Sequence, residues 1–122
     1  MSRILVIEDD LQMRAVLRQM LERAGYDVEE ASNGRVGVSI HRDNPADLVI
    51  TDLIMPDQEG LETIRELTRD FSDIKIIVIS GGGNKVSGPF LSIALELGAH
   101  RAFGKPFEMK ELLDSVRELL EE

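Results

Sequence analysis

The chain has 122 residues, which is enough for one domain with a hydrophobic core and too few for two. A formal net charge of −9 excludes a nucleic-acid surface built on bulk attraction to phosphate, and the lack of cysteine excludes disulfides and thiolate zinc sites. No segment approaches the roughly 18 apolar residues of a membrane span, and no secretion signal opens the chain. We therefore expect a cytoplasmic protein that contacts neither membrane nor nucleic acid directly.

Short apolar runs alternate with amphipathic segments along the whole chain. In order, the predicted elements are strand 3–7, helix 13–24, strand 26–31, helix 35–42, strand 47–52, helix 61–71, strand 74–80, helix 89–97, strand 100–104 and helix 109–120. Gly25 and Gly98 stand where helices commonly end. The second strand alternates polar and apolar residues, which is typical of an edge strand, whereas the first, third and fourth are nearly all apolar.

Strands that alternate with helices predict right-handed crossovers and a parallel sheet covered on both faces. The fold class predicted is therefore α/β: a doubly wound, five-stranded parallel sheet in a flavodoxin-like three-layer sandwich. Placing the apolar strands in the centre gives the order 2-1-3-4-5. Such sheets bind ligands at the carboxyl ends of their strands, near the point where the strand order reverses.

Polar side chains follow several of the strands and should meet at that edge. They are Glu8, Asp9, Asp10, Asp52, Ser80 and Lys105. Two like charges about 4 Å apart repel by about 4 kcal/mol at an effective dielectric of about 20. Clustered carboxylates therefore predict a cation among them, and oxygen ligands favour Mg²⁺, or Mn²⁺ or Ca²⁺, over zinc. A carboxylate beside such a cation can act as a nucleophile and form an aspartyl phosphate, whose oxygens a lysine and a hydroxyl would bind.

Four motifs occur in order along the chain: Ile4-Leu5-Val6-Ile7-Glu8-Asp9, Asp52-Leu53-Ile54-Met55-Pro56 with Gly60, Ile79-Ser80-Gly81, and Gly98-Ala99 leading to Lys105-Pro106-Phe107. With these motifs the chain resembles the receiver domains of bacterial two-component response regulators over about residues 3–121. Each motif alone is weak, but four in order at the right spacing are specific.

The resemblance implies that Asp52 accepts a phosphoryl group from a histidine kinase or a phosphotransfer protein, with Mg²⁺ or Mn²⁺ as cofactor. The implied metal ligands are Asp9, Asp52 and the backbone carbonyl of Ile54, with Glu8 acting through water. The implied phosphoryl contacts, which also form the switch, are Ser80, Gly81 and Lys105. The Lys105–Pro106 peptide bond is implied to be cis.

Some residues depart from that pattern or have a simpler interpretation. Receiver domains usually place an aromatic residue three positions before the lysine, where this chain has Ala102; Phe103 should point to the opposite face of the strand. Asp10 is predicted to cap the first helix rather than bind metal. His41 and His100 are predicted to be isolated surface residues.

We expect a single stand-alone receiver, residues 1–122, with no effector domain. As a monomer or weak homodimer it would signal through an unidentified downstream protein, or pass the phosphate on, and it would not be an enzyme in the usual sense. A Mg²⁺-dependent aspartyl-phosphate phosphatase is one alternative, although those enzymes usually carry the nucleophile after strand 1 together with a cap insertion. A degenerate receiver acting as a scaffold is another, against which the complete set of acids, serine and lysine argues. A flavodoxin-like carrier of flavin mononucleotide would need a phosphate loop where this chain has three acids.

Overall fold

The structure is a computed structural model that describes residues 2–52, 59–80 and 87–121. Five strands and five helices alternate along these residues. In chain order they are β1 (Arg3–Ile7), α1 (Leu11–Arg23), β2 (Asp27–Ala31), α2 (Gly34–Asp43), β3 (Leu48–Asp52), α3 (Glu59–Asp70), β4 (Ile76–Ser80), α4 (Ser87–Leu97), β5 (Arg101–Gly104) and α5 (Met109–Glu121). The helices found in the described ranges include none that is long and apolar enough to cross a membrane.

The strands form one parallel sheet in the order β2-β1-β3-β4-β5, which confirms the predicted topology. Every residue of β3 and β4 is buried, whereas β2 alternates between exposed and partly buried positions before it ends at the buried Ala31. The apolar strands are central because their side chains are covered on both faces, and the mixed strand lies at an edge.

Successive residues of each strand face opposite sides of the sheet, so the core has two layers. On one side, Leu5 and Val49 pack against α2, α3 and α4, through side chains such as Ile64 and Ala94. On the other side, Ile50 packs against α1 and α5. Burial of apolar area on both faces stabilises the sandwich and leaves the strand ends free to carry polar groups.

Element boundaries differ from the predicted ones by at most two residues, for local reasons. The chain reaches β4 through a turn in which the amide of Ile74 donates to the carbonyl of Phe71 at 3.2 Å, so the strand begins at Ile76. Helix α4 begins at Ser87, two residues before Pro89. Proline is compatible with this position because amides of the first helical turn have no intrahelical acceptor.

At two positions the structure requires glycine, and the sequence pattern revealed the reason for only one of them. Gly25 follows α1 with φ +99°, the left-handed conformation in which glycine ends a helix. Gly37, which the sequence showed only as a weak point of α2, lies against β1. A Cβ at this position would come within 2.4 Å of Ile7 Cδ1, so the missing side chain lets α2 approach the sheet.

The prediction that His41 is a surface residue is wrong. His41 is only 3% exposed, and its Nδ1 accepts a hydrogen bond from the amide of Ala46 at 3.1 Å. Its ring meets Phe71 edge to face, with 4.5 Å between ring centroids. Burial, helped by the nearby charge of Arg3, lowers the pKa of His41 and keeps the ring neutral. His100 is exposed, as predicted, but it is not isolated, because its Nδ1 accepts a hydrogen bond from the amide of Ile76 at 3.3 Å.

Candidate functional site

Three acids converge at the carboxyl edge of the sheet. Asp52 is the last residue of β3, and Glu8 and Asp9 directly follow β1, which pairs with β3. One carboxylate oxygen from each lies within 4.8 Å of the others. Glu8 is 0% exposed and Asp52 only 3%, whereas Asp9 is exposed. Topology alone produces this acidic cluster, since all parallel strands end at the same edge.

Asp10, the third acid of the run, has a different position. Its side chain accepts hydrogen bonds from the amides of Gln12 and Met13, which makes it the N-cap of α1. This confirms the prediction that Asp10 caps the helix.

Lys105 connects two of the acids. Its Nζ donates to Glu8 Oε1 at 3.1 Å and to Asp52 Oδ2 at 3.3 Å. The amide of Lys105 donates to the carbonyl of Ser80 at 2.7 Å, so pairing between the last two strands continues up to the lysine. The Lys105–Pro106 peptide bond is cis, as the resemblance implies. The lysine thus reaches the acidic cluster from the far side of β4.

The cluster holds more negative charge than Lys105 neutralises. The pKa of Glu8 is raised to about 7, first by burial and then by the hydrogen bond and charge of Asp52, against smaller opposing effects of the Asp10 amide and Lys105. For Lys105, burial acts to lower the pKa, but the attraction of Asp52 and Glu8 outweighs it and the pKa is raised. The lysine is therefore a fixed positive charge, whereas Glu8 takes up a proton near neutral pH.

The cluster fits a divalent cation. Its ligand atoms are carboxylate oxygens, which suit Mg²⁺ and Mn²⁺, and a cation among them would oppose the repulsion that raises the Glu8 pKa. Two further residues that the resemblance assigns to this site, Ile54 and Gly81, lie outside the described residues.

Ser80 is the last residue of β4, and its side chain is completely buried. Among the described residues its Oγ finds no hydrogen-bond partner. An unpaired buried hydroxyl costs about 1–3 kcal/mol. A ligand that brings an acceptor oxygen to the end of β4 would remove this cost, which suits a residue predicted to contact a phosphoryl group.

The strand that precedes Lys105 has the orientation predicted for it. Ala102 packs with the layer formed by α2, α3 and α4, on the same side of the sheet as Val78, its partner on β4. Phe103 packs with the opposite layer, where its ring lies 6.3 Å from that of Phe107. No aromatic side chain from this strand therefore faces α4.

Arg14 is a residue that the sequence analysis did not single out. From the first turns of α1 its Nη1 donates to the carbonyl oxygen of Glu8 at 2.9 Å, and its Nε donates to Glu30 Oε1 at 3.0 Å. The only signal in the sequence was a basic residue shortly after the three acids. Its partner Glu30 comes from a different strand, and no local pattern shows that contact.

The family model of the response regulator receiver domain matches residues 4–117 of this chain. The response regulator receiver protein CpdR of Brucella abortus (strain 2308) is 33% identical, and the match covers 98% of each protein. The DNA-binding transcriptional regulator NtrC of Azospirillum brasilense is 37% identical across 96% of this chain, which spans only 24% of that protein.

Solved structures show the same likeness. A response regulator receiver domain protein (CheY-like) from Methanospirillum hungatei JF-1 superposes with a TM-score of 0.88 at 28% identity, covering 99% of this chain and 94% of that one. A receiver domain from Clostridium thermocellum gives a TM-score of 0.88 at 27% identity, covering 99% and 95%. The chain therefore belongs to the response regulator receiver domains of two-component systems.

Proposed function

We propose that Asp52 accepts a phosphoryl group from the phosphohistidine of a histidine kinase or phosphotransfer protein, and that the modified receiver signals to a partner. The observation that carries the proposal is the position of the Asp52 carboxylate. It lies at the end of β3 within the cluster that includes Glu8 and Asp9, and 3.3 Å from Lys105 Nζ. Receiver domains as a family are signalling domains that bind Mg²⁺ at an acidic pocket.

In the proposed transfer, a carboxylate oxygen of Asp52 forms a bond to phosphorus while the bond from phosphorus to the donor imidazole nitrogen breaks. The nitrogen keeps the electron pair, and the released imidazole takes up a proton as its pKa requires. Asp9 and Asp52 are proposed to hold Mg²⁺ with the carbonyl of Ile54, and Glu8 to act through water. When bound, the cation supplies positive charge that neutralises the transferred oxygens.

Lys105 and Ser80 are proposed to bind the phosphoryl group once it is attached. Phosphorylation adds about 1.5 to 2 negative charges and three acceptor oxygens next to a lysine that already contacts Asp52. The buried Ser80 hydroxyl would donate to one of those oxygens. Exchange of carboxylate contacts for phosphoryl contacts is the local change that a switch requires.

With Ala102 on the face usually occupied by an aromatic residue, we propose that the rearrangement runs mainly through residues 81–97, which include α4. A shift from 1:99 to 99:1 between two states needs about 5.5 kcal/mol of differential stabilisation. Amide chemical shifts recorded before and after addition of beryllofluoride with Mg²⁺ test this route. Unchanged shifts across residues 81–97 would contradict it.

Incubation with acetyl phosphate and Mg²⁺, followed by intact mass measurement, tests the phosphoacceptor proposal. We expect a gain of one phosphoryl group in the wild type and none in Asp52→Asn. The matched control is Asp47→Asn, which alters a carboxylate at the opposite edge of the sheet and should leave labelling unchanged. Absence of labelling in the wild type, under conditions that label other receivers, would refute the proposal.

The time course of the same reaction tests the phosphatase alternative. A receiver gives a stoichiometric label that is slowly lost, whereas a phosphatase would release phosphate from generic esters over many turnovers. The organisation as a stand-alone receiver stays a prediction.

A further inference from the structure

We infer that Arg14 is a positioning residue for the metal site, and that it connects the edge strand β2 to the acidic cluster. The inference deepens the proposed function and rests on it for the role of the cluster. Arg14 does not belong to the cluster itself. Its guanidinium lies behind the backbone that carries Glu8 and Asp9, and it contacts that backbone through the Glu8 carbonyl.

The guanidinium is held between two acceptors from different parts of the fold. Nη1 donates to the carbonyl of Glu8 at 2.9 Å, and Nε donates to Glu30 Oε1 at 3.0 Å. The Arg14 side chain is only 16% exposed, so solvent screens these contacts weakly. Because the guanidinium is planar and rigid, fixing one nitrogen on β2 fixes the direction in which the other donates.

The carbonyl that Arg14 contacts determines where two acids point. The carbonyl of Glu8 and the amide of Asp9 share one rigid peptide plane, so a hydrogen bond to the carbonyl sets the orientation of that plane. Glu8 has further anchors: its amide donates to the carbonyl of Ala31 at 3.0 Å, and its Oε2 accepts from the Asp10 amide. Asp9 is exposed, so packing does not fix the direction of its side chain. The orientation of this peptide plane is therefore the feature through which Arg14 would hold the Asp9 carboxylate toward the cluster.

Arg18 provides a matched control. It lies one turn further along α1 and contacts the same Glu30, together with Glu22 at 3.1 Å. Within the described residues, the hydrogen bonds and ion pairs of Arg18 are all with side-chain carboxylates, and none of them is with the backbone of Glu8. Removing Arg18 therefore takes away the same unit of charge from the same helix and loosens the same glutamate, while the bond to the Glu8 carbonyl stays.

The test is a Mg²⁺ titration of wild type, Arg14→Met and Arg18→Met, followed by amide chemical shifts and by labelling with acetyl phosphate. For Arg14→Met we expect half-saturation at about tenfold higher Mg²⁺, since loss of a group that orients metal ligands typically lowers affinity about 10- to 100-fold. Labelling of this variant should recover at saturating Mg²⁺, because Arg14 contacts no reacting atom. Arg18→Met should stay within about twofold of the wild type, as exposed ion pairs contribute little.

Two more variants separate positioning from general stability. Arg14→Lys keeps the charge but offers no planar fork to two acceptors, so it should recover only part of the Mg²⁺ affinity. Glu30→Gln leaves Arg14 in place with a weaker anchor. Its Mg²⁺ concentration at half-saturation should therefore lie between those of the wild type and Arg14→Met. Since Glu30 acts on the metal site through Arg14, the double variant Arg14→Met/Glu30→Gln should bind Mg²⁺ no more weakly than Arg14→Met. If Arg14→Met does not fold, Glu30→Gln and Arg14→Lys carry the test.

If Arg14→Met and Arg18→Met raise the Mg²⁺ concentration at half-saturation equally, charge alone acts at a distance and the inference is overturned. Full recovery in Arg14→Lys would overturn it as well. A wild type that binds Mg²⁺ but takes no phosphoryl group refutes the proposed function and leaves the role of Arg14 to be decided by the titration. A wild type whose amides do not respond to Mg²⁺ refutes both.

Discussion

At the amino edge of the sheet, charged side chains pair at the surface: Arg42, for example, contacts both Asp70 and Glu66 and lies over the ring of Phe71. At the carboxyl edge the acids are buried instead of exposed: Glu8 and Asp52 share the single ammonium group of Lys105. Repulsion between buried carboxylates destabilises the folded state, and a bound cation would relieve it. The difference indicates which edge is built to bind something and which edge only holds the fold together.

Both edges also contain a buried titratable group, and these groups respond to pH in opposite directions. The pKa of Glu8 is raised, so the folded protein binds a proton more tightly than the unfolded chain does. The pKa of His41 is lowered by burial, so the folded protein binds a proton less tightly. The free energy of unfolding should therefore fall with rising pH because of Glu8, and fall with decreasing pH because of His41.

The largest effect is expected for Glu8→Gln. The stability cost of ionised Glu8 develops as pH rises from 4.5, its ordinary pKa, to about 7, and is complete above that. In the absence of metal, the variant should therefore gain up to about 3 kcal/mol of unfolding free energy at about pH 8.5, since one pKa unit corresponds to about 1.4 kcal/mol. At about pH 4 it should gain little, because Glu8 is then protonated in both the folded and the unfolded chain. Urea unfolding at both pH values measures the difference, and a gain that does not depend on pH would contradict the account.

Lys105→Met should lower the free energy of unfolding, whereas Glu8→Gln should raise it. Loss of the ammonium leaves Glu8 and Asp52 without their shared donor, at a cost of about 1–3 kcal/mol for the unsatisfied buried groups. The loss should be smaller at about pH 5, where Glu8 is protonated and repels Asp52 less. Thermal unfolding at the two pH values gives the comparison. Equal losses at both would mean that Lys105 contributes by packing rather than by charge.

At the amino edge, His41→Asn should change only the acid side of the stability profile. Neutral His41 contributes stability above 6.5, its ordinary pKa, and that contribution is lost as pH falls below this value. The asparagine oxygen can accept from the Ala46 amide in place of Nδ1, so a flatter profile below pH 6.5 is the expected result. An unchanged acid slope in urea unfolding would show that His41 is not the group responsible.

The smallest effect is expected for Arg42→Met, the counterpart of Lys105→Met at the amino edge. Arg42 is exposed, so solvent screens its contacts with Glu66 and Asp70, and its methylenes are retained in part by methionine. Its change in unfolding midpoint should be clearly smaller than that of Lys105→Met. A larger change would remove the distinction between the two edges.

Most of the fold could be predicted because the signals are local. The alternation of apolar runs and helical stripes gave the element order, and strand polarity placed β2 at the edge. The positions of Glu8, Asp52, Ser80 and Lys105 followed from one rule of parallel sheets, that the carboxyl ends share an edge. The opposite faces of Ala102 and Phe103 followed from strand periodicity in the same way.

The features that could not be predicted depend on contacts between distant segments. His41 is buried because Phe71, thirty positions further along, supplies an aromatic surface. Gly37 fits against Ile7 only because α2 crosses β1, and Arg14 reaches Glu30 only because β2 returns beside β1. The approach of Lys105 to Glu8 to within 3.1 Å likewise depends on two segments that the sequence separates by 97 positions.

The most direct test of the central claim is to locate the phosphoryl group on the chain. The protein is labelled with acetyl phosphate and Mg²⁺, and the acyl phosphate is reduced with borohydride, which converts a phosphorylated aspartate into homoserine. The peptides are then sequenced by mass spectrometry. We predict homoserine at position 52 in the labelled sample and not in the unlabelled one. Conversion at Glu8, Asp9 or any other acid, with Asp52 unchanged, would contradict the account.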